Sequence, residues 1–83
     1  MHKTTPQFWS RLELLPSAVQ QLARKNFELL KDNPAHPSLH FKKVGRFRSV
    51  RIGLSHRALA VEDGADFIRV WIGKHDDYDR LIS

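Results

Sequence analysis

The chain contains no cysteine, which excludes a disulfide framework and a thiolate metal site. No apolar run approaches the roughly 20 residues of a membrane-spanning helix. The opening "MHKTTPQFW" lacks the apolar stretch of a signal peptide. From these absences we expect a small soluble cytoplasmic protein. Glycine is scarce, and no glycine loop that cradles phosphate, no nucleophile elbow and no zinc-binding spacing is present. At 83 residues the chain is expected to form one domain spanning 1–83. Such a domain buries only about 60% of its unfolded surface, so a tight partner would add much of its stability.

Acidic side chains are missing from one long segment. Between Asn33 and Val61 there are six basic residues, Lys42, Lys43, Arg46, Arg48, Arg51 and Arg57, and no acid; His36, His40 and His56 lie in the same block. The segments before, within and after it carry +2, +6 and −3, which together make the net +5. A block without internal counter-charge attracts phosphates or an acidic protein, or simply solubilises the surface.

The spacing predicts two helices, four strands and a last short helix. "TTPQFW" reads as a helix start with Thr4 and Gln7 as a capping box and Pro6 near the first helical position. Phe8, Leu12 and Leu15 recur at helical spacing, Trp9 joins the apolar stripe as core, and Pro16 ends the run. A second helix follows, with Ser17 and Gln20 as its capping box and Val19, Leu22, Ala23, Phe27, Leu29 and Leu30 as its apolar stripe. It closes at Asn33 in a left-handed cap before Pro34. "LHFKKVG", "FRSVRIGL", "RALAVED" and "FIRVWIG" read as strands, and their short links imply antiparallel neighbours. The expected fold is α+β: two N-terminal helices on a four-stranded antiparallel sheet, with a C-terminal helix through "DDYDRLI". Ile68, Val70 and Ile72 would face the helices, while Phe67, Arg69 and Trp71 would lie on a more open face.

Arg51 and Arg57 flank a tight turn at "LSH", so a hairpin would bring them onto one face. Two such guanidiniums either clamp an anion or stand solvated. His75 follows Gly73, which lets the backbone turn, and imidazole exchanges protons near neutral pH; an exposed loop histidine is the plainer alternative. Tyr78 falls one helical turn after His75 and serves either the same space or helix packing. His75, Asp76, Asp77 and Asp79 lie too close in sequence to converge on one ion. We therefore expect no metal and no cofactor, with the aspartates favouring the start of the last helix. Trp71 is a candidate lining for a protein-binding groove.

The order of "L-x-x-x-x-V-G…V-R-I", "HRALAV" and "WIGKHDDY", from about Leu22 to Ile82, resembles the RelE/ParE superfamily of toxin–antitoxin toxins. The resemblance implies a microbial-RNase-like α/β fold and an endoribonuclease that cleaves messenger RNA, usually on the ribosome. It also implies a cognate antitoxin, expected to be acidic and amphipathic. Arg51 matches a basic position of the second strand, and Arg57 the arginine opening the third. His75 falls where the family has a catalytic histidine or arginine, and Tyr78 near a tyrosine of some members. Lys42, Lys43, Arg46, Arg48 and Lys74 would then position RNA, whose own 2′-hydroxyl serves as nucleophile. Many members begin with a strand, where this chain reads as a helix start. The superfamily also holds gyrase inhibitors without nuclease activity, and a noncatalytic basic RNA- or protein-binding module is the remaining alternative.

Overall fold

The computed structural model describes residues 2–64 and 66–82. Strand β1 (His2–Thr4) leads into helices α1 (Pro6–Glu13) and α2 (Ser17–Asp32). A single 3₁₀ turn, Pro37–Leu39, connects them to β2 (Lys42–Val44), β3 (Phe47–Ile52), β4 (His56–Asp63), β5 (Asp66–Lys74) and α3 (His75–Ile82). The sheet order is β1-β5-β4-β3-β2. The four expected strands pair antiparallel in sequence order. The fifth, β1, is an addition: it lies parallel to β5, with Lys3 opposite Ile68. Three residues carry no readable periodicity, and only the free edge of β5 makes this segment a strand.

The added strand moves the helix cap by one residue. Thr5, not Thr4, caps α1: its Oγ1 accepts from the Phe8 amide at 3.2 Å, with Pro6 in the first helical position. Trp9 is not core. It is 38% exposed, with Nε1 donating to Thr4 Oγ1 at 2.8 Å. The Ser17–Gln20 box does not form, because Pro16 takes the cap position and no side chain caps it. Gln20 instead donates to the Leu15 carbonyl at 2.9 Å, closing the corner between α1 and α2. Asn33 is not left-handed, at φ −150, and the left-handed residue of this loop is His40, at φ 44.

One face of the sheet packs on α1 and α2. Phe8, Leu12, Ala23, Phe27, Leu30, Leu39, Val50, Ile52, Ala58 and Ile72 form the core, and each large apolar side chain contributes about 1.5–3 kcal/mol by leaving water. Buried Asn26 ties α2 to β3 by donating to the Arg51 carbonyl at 2.9 Å.

The expected alternation of β5 is broken. Leu59 pairs with Trp71 but Ala60 with Arg69, so Val70 is an inserted residue. Ile72 faces the helices as expected. Beyond the bulge the sides exchange: Arg69 lies on the helix face with its guanidinium carbon 3.9 Å from the Phe27 ring centroid, and Ile68 shares the second face with Val61. Helix α3 packs on β4 and β5 from that second face and buries Tyr78. No described helix is long and apolar enough to cross a membrane.

Candidate functional site

The β3–β4 hairpin sets Arg51 directly opposite Arg57, as their spacing predicts. Cross-strand partners stand about 5 Å apart at Cβ, so the two cations oppose each other on the second face. Arg57 is partly buried, and this lowers its pKa; the charge of Arg51 lowers it further, while Tyr78 and Asp79 pull the other way. Its Nη1 donates to the His56 carbonyl at 3.0 Å. Arg51 is braced separately: Nε donates to the Gly53 carbonyl at 3.0 Å, and Nη1 lies 3.1 Å from His40 Nε2. A guanidinium only donates, so that imidazole nitrogen is the acceptor.

Two neighbouring clefts share Leu54 as a wall. One, about 470 Å³, is lined by Arg57, Lys74, His75, His56 and Asp76. The other, about 560 Å³, is lined by Arg51, Lys25, His36, Leu22 and Leu29. Thus Arg57, His75 and Lys74 meet in one cleft, while Arg51 opens into the adjacent one.

His75 is the first residue of α3, and its amide donates to the Ser55 carbonyl at 2.8 Å, which joins the start of α3 to the β3–β4 turn. Its Nδ1 is 3.1 Å from Asp79 Oδ2 one helical turn on, leaving Nε2 as the nitrogen open to a ligand. Gly73 does not serve as a turn here. It lies within β5, where a Cβ would come 2.7 Å from Trp71 Cζ2 and 3.0 Å from Arg11 Nη2. Trp71 therefore stacks under Arg11, with the guanidinium carbon 4.9 Å from its ring centroid, instead of lining an open groove. Arg11 Nε also donates to the Ile72 carbonyl at 2.8 Å, on the stretch of β5 that β1 leaves uncovered. Tyr78 is 4% exposed, with its ring centroid 5.9 Å from that of His75. This places it under the site rather than on its surface.

The basic residues divide between the two faces. Lys42 pairs with Ser49 and shares the face of Arg51, whereas Lys43 pairs with Arg48 on the helix face. Arg48 is engaged by Glu62, and Arg46 lies over Phe47. The ligand atoms of His75, Asp76 and Asp79 lie within 4.8 Å of one another, so helical winding converges what adjacency in sequence argued apart. Asp77 is instead paired with Arg80 at 2.7 Å.

Sequence reading passed over His56 as a site residue. It is buried, with Nδ1 2.9 Å from Ser55 Oγ and Nε2 without a partner among the described residues. Burial, then the charge of Lys74, lowers its pKa, so it stands neutral beside Arg57. Its position at the end of the "LSH" turn, next to Arg57, was the available signal.

No protein-family model matches the chain, and no curated protein matches it in sequence. Solved structures do match in fold. A chain of the RelB–RelE antitoxin–toxin complex from Methanococcus jannaschii superposes with a TM-score of 0.76 at 13% identity, covering 98% of this chain and 99% of that one. The YoeB/ParE toxin from Agrobacterium tumefaciens gives 0.72 at 14% identity, covering 89% and 96%. YafQ from E. coli gives 0.71 at 12% identity, covering 94% and 96%. The chain has the fold of these toxins.

Proposed function

We propose that this chain is a RelE/ParE-type toxin of a toxin–antitoxin pair and an endoribonuclease that cleaves messenger RNA on the ribosome. The observation that carries the reading is the meeting of Arg57 and His75 in one cleft, with Arg51 opposite Arg57 across the hairpin. Two like charges on facing strand positions favour an anion that both can reach. The fold shared with the RelE, YoeB and YafQ structures supports the same reading.

RNA supplies its own nucleophile. The 2′-oxygen attacks the adjacent phosphorus, its proton leaves to a base, and the bond to the 5′-oxygen breaks as that oxygen is protonated. The products are a 2′,3′-cyclic phosphate and a 5′-hydroxyl end. Arg57 and Arg51 stabilise the charge that develops on the phosphorane oxygens, and His75 moves a proton through Nε2 while Asp79 holds Nδ1. Tyr78 supports the rings and charges above it. Lys42 positions the backbone from the face of Arg51 and Lys74 from the wall of the Arg57 cleft, and Lys43, Arg46 and Arg48 add to the long-range field. Charge stabilisation and proton transfer both come from side chains, so the reaction proceeds in EDTA.

The partner is an acidic, amphipathic antitoxin. One experiment tests the whole reading: induce the chain in bacteria, follow growth and map messenger RNA ends. Growth arrest with new 5′-hydroxyl ends supports it. Arrest with intact messages and blocked DNA supercoiling assigns the gyrase alternative, and normal growth with soluble protein removes the toxin reading.

A further inference from the structure

On the face away from the Arg51–Arg57 pair lies a cationic side chain that the reaction does not use. The bulge at Val70 turns Arg69 onto the helix side of the sheet. Without that inserted residue the position opposite Ala60 would be filled by an apolar side chain, at lower desolvation cost. The backbone of Arg69 is then held by Thr5, whose amide and Oγ1 both donate to its carbonyl at 3.2 Å. Bulges of this kind re-aim a side chain toward a site.

The aimed guanidinium keeps one nitrogen unpaired among the described residues: Arg69 Nε is buried with no hydrogen bond. The group rests on the Phe27 ring at 3.9 Å, a cation–π contact that offsets only part of the lost hydration. Glu28 is near enough to raise the pKa of Arg69 against the larger lowering from burial, yet its carboxylate is paired with Lys31 at 3.3 Å. Arg69 opens into a cleft of about 450 Å³ between α1, α2 and β5, with Arg24, Lys31, Glu28 and Trp9 on its walls. Arg24 stands over Trp9, 5.8 Å from the ring centroid. Three cations face one carboxylate, so the cleft is short of negative charge.

We propose that this cleft binds a single carboxylate from an acidic, amphipathic protein segment, with Arg69 as the anchor and an apolar neighbour of that carboxylate against Trp9. The chemistry favours a peptide over RNA. Glu28 on the wall repels a polyanion, whereas a lone Glu or Asp on a flexible stem reaches past it to a half-buried guanidinium. The apolar walls suit a side chain flanked by leucine-like residues better than a ribose-phosphate chain. Naming this segment as part of the antitoxin rests on the toxin reading; the carboxylate site itself does not.

The test uses the full chain labelled with nitrogen-15 and follows the Arg69 Nε–H resonance by NMR. The probes are acetyl-Leu-Glu-Ala-Leu-amide, its Gln counterpart, inorganic phosphate and octauridylate. The Glu peptide is expected to shift the Arg69 resonance saturably and to bind about tenfold more tightly than the Gln peptide, the difference expected for one charge-assisted hydrogen bond. Arg69→Met, which keeps contact with Phe27, should abolish that preference while retaining a folded spectrum. Glu28→Gln, which leaves Arg69 untouched, should tighten the Glu peptide severalfold. Equal affinity for the two peptides in the wild-type chain overturns the proposal, as does an unmoved Arg69 resonance, or its response to octauridylate or phosphate below the peptide concentration. Should Arg69→Met fail to fold, the wild-type comparison and Glu28→Gln decide alone. An absence of RNA cleavage would sink the nuclease reading and leave these outcomes unchanged.

Discussion

Replacing Arg57 by Ala separates activity from stability, because the structure gives the two effects different sizes. The substitution removes the hydrogen bond to the His56 carbonyl, at a cost of about 0.5–1.5 kcal/mol. It also removes the like-charge opposition to Arg51, which returns about 0.2–1 kcal/mol. The two nearly cancel, so folding stability should change by about 1 kcal/mol or less, a shift of a few degrees in Tm. The reaction has no such compensation. Losing one pre-organised donor to a developing oxyanion lowers the rate by about 100- to 1,000-fold. Arg57→Lys keeps the charge without the planar fork and should recover only part of that loss. Thermal melting and single-turnover cleavage of ribosome-bound message at saturating protein measure both quantities. Cleavage by folded Arg57→Ala at the parental rate would refute the assignment. So would a loss of activity that only tracks a large fall in Tm.

Three further outcomes follow from particular contacts. Gly73→Ala should destabilise the fold by about 1–3 kcal/mol, because its Cβ would meet the Trp71 ring at 2.7 Å; chemical denaturation with tryptophan fluorescence reads the loss and the ring's displacement. His56 has a lowered pKa in the folded state, so the unfolded chain binds the extra proton first. Its contribution to stability is complete above about pH 6.5 and is lost as pH falls through the folded pKa; His56→Gln should flatten that part of a stability–pH curve, and an unchanged slope would count against it. Lys42→Ala should reduce the salt dependence of RNA binding by about 0.7 in log–log slope. Lys43→Ala, on the opposite face, should reduce it less, and equal effects would contradict the division of faces.

The element order was readable because each long element carries its own period. Phe8 with Leu12, and Ala23 with Phe27 and Leu30, mark helices, and β3 alternates apolar Val50 and Ile52 with Ser49 and Arg51. What escaped depends on contacts between distant segments. His2–Thr4 has no pattern of its own and is a strand only because β5 offers an edge. The bulge at Val70 is equally silent. "FIRVWIG" alternates acceptably in either phase, and the choice is made where Arg69 lies over Phe27 and Thr5 holds its carbonyl. Trp9 followed the helical stripe in sequence but sits at its margin, where Thr4 of the added strand gives its indole N–H a partner.

The candidate site divides along the same physical line. Arg51 and Arg57 are six positions apart across a tight turn, so hairpin register alone sets them opposite each other. His75 is brought to them by the β4–β5 ladder, which sets Gly73 opposite Arg57, and is fixed there by a hydrogen bond from its amide to the Ser55 carbonyl, of which spacing in the chain contains no trace. His56 is harder still. At the level of composition it was one of several histidines in a basic block, and only its burial beside Lys74, with Nε2 unpartnered among the described residues, sets it apart. Tyr78 shows the converse: one helical turn from His75 in sequence, it was legible as a neighbour, yet neighbourhood does not give access. The ring lies beneath α3 at 4% exposure, so in this structure it acts on Arg57 and His75 by packing and field. Residue type and spacing therefore identified which groups share a face. Burial and the bonds between distant elements decide which of them can reach a substrate.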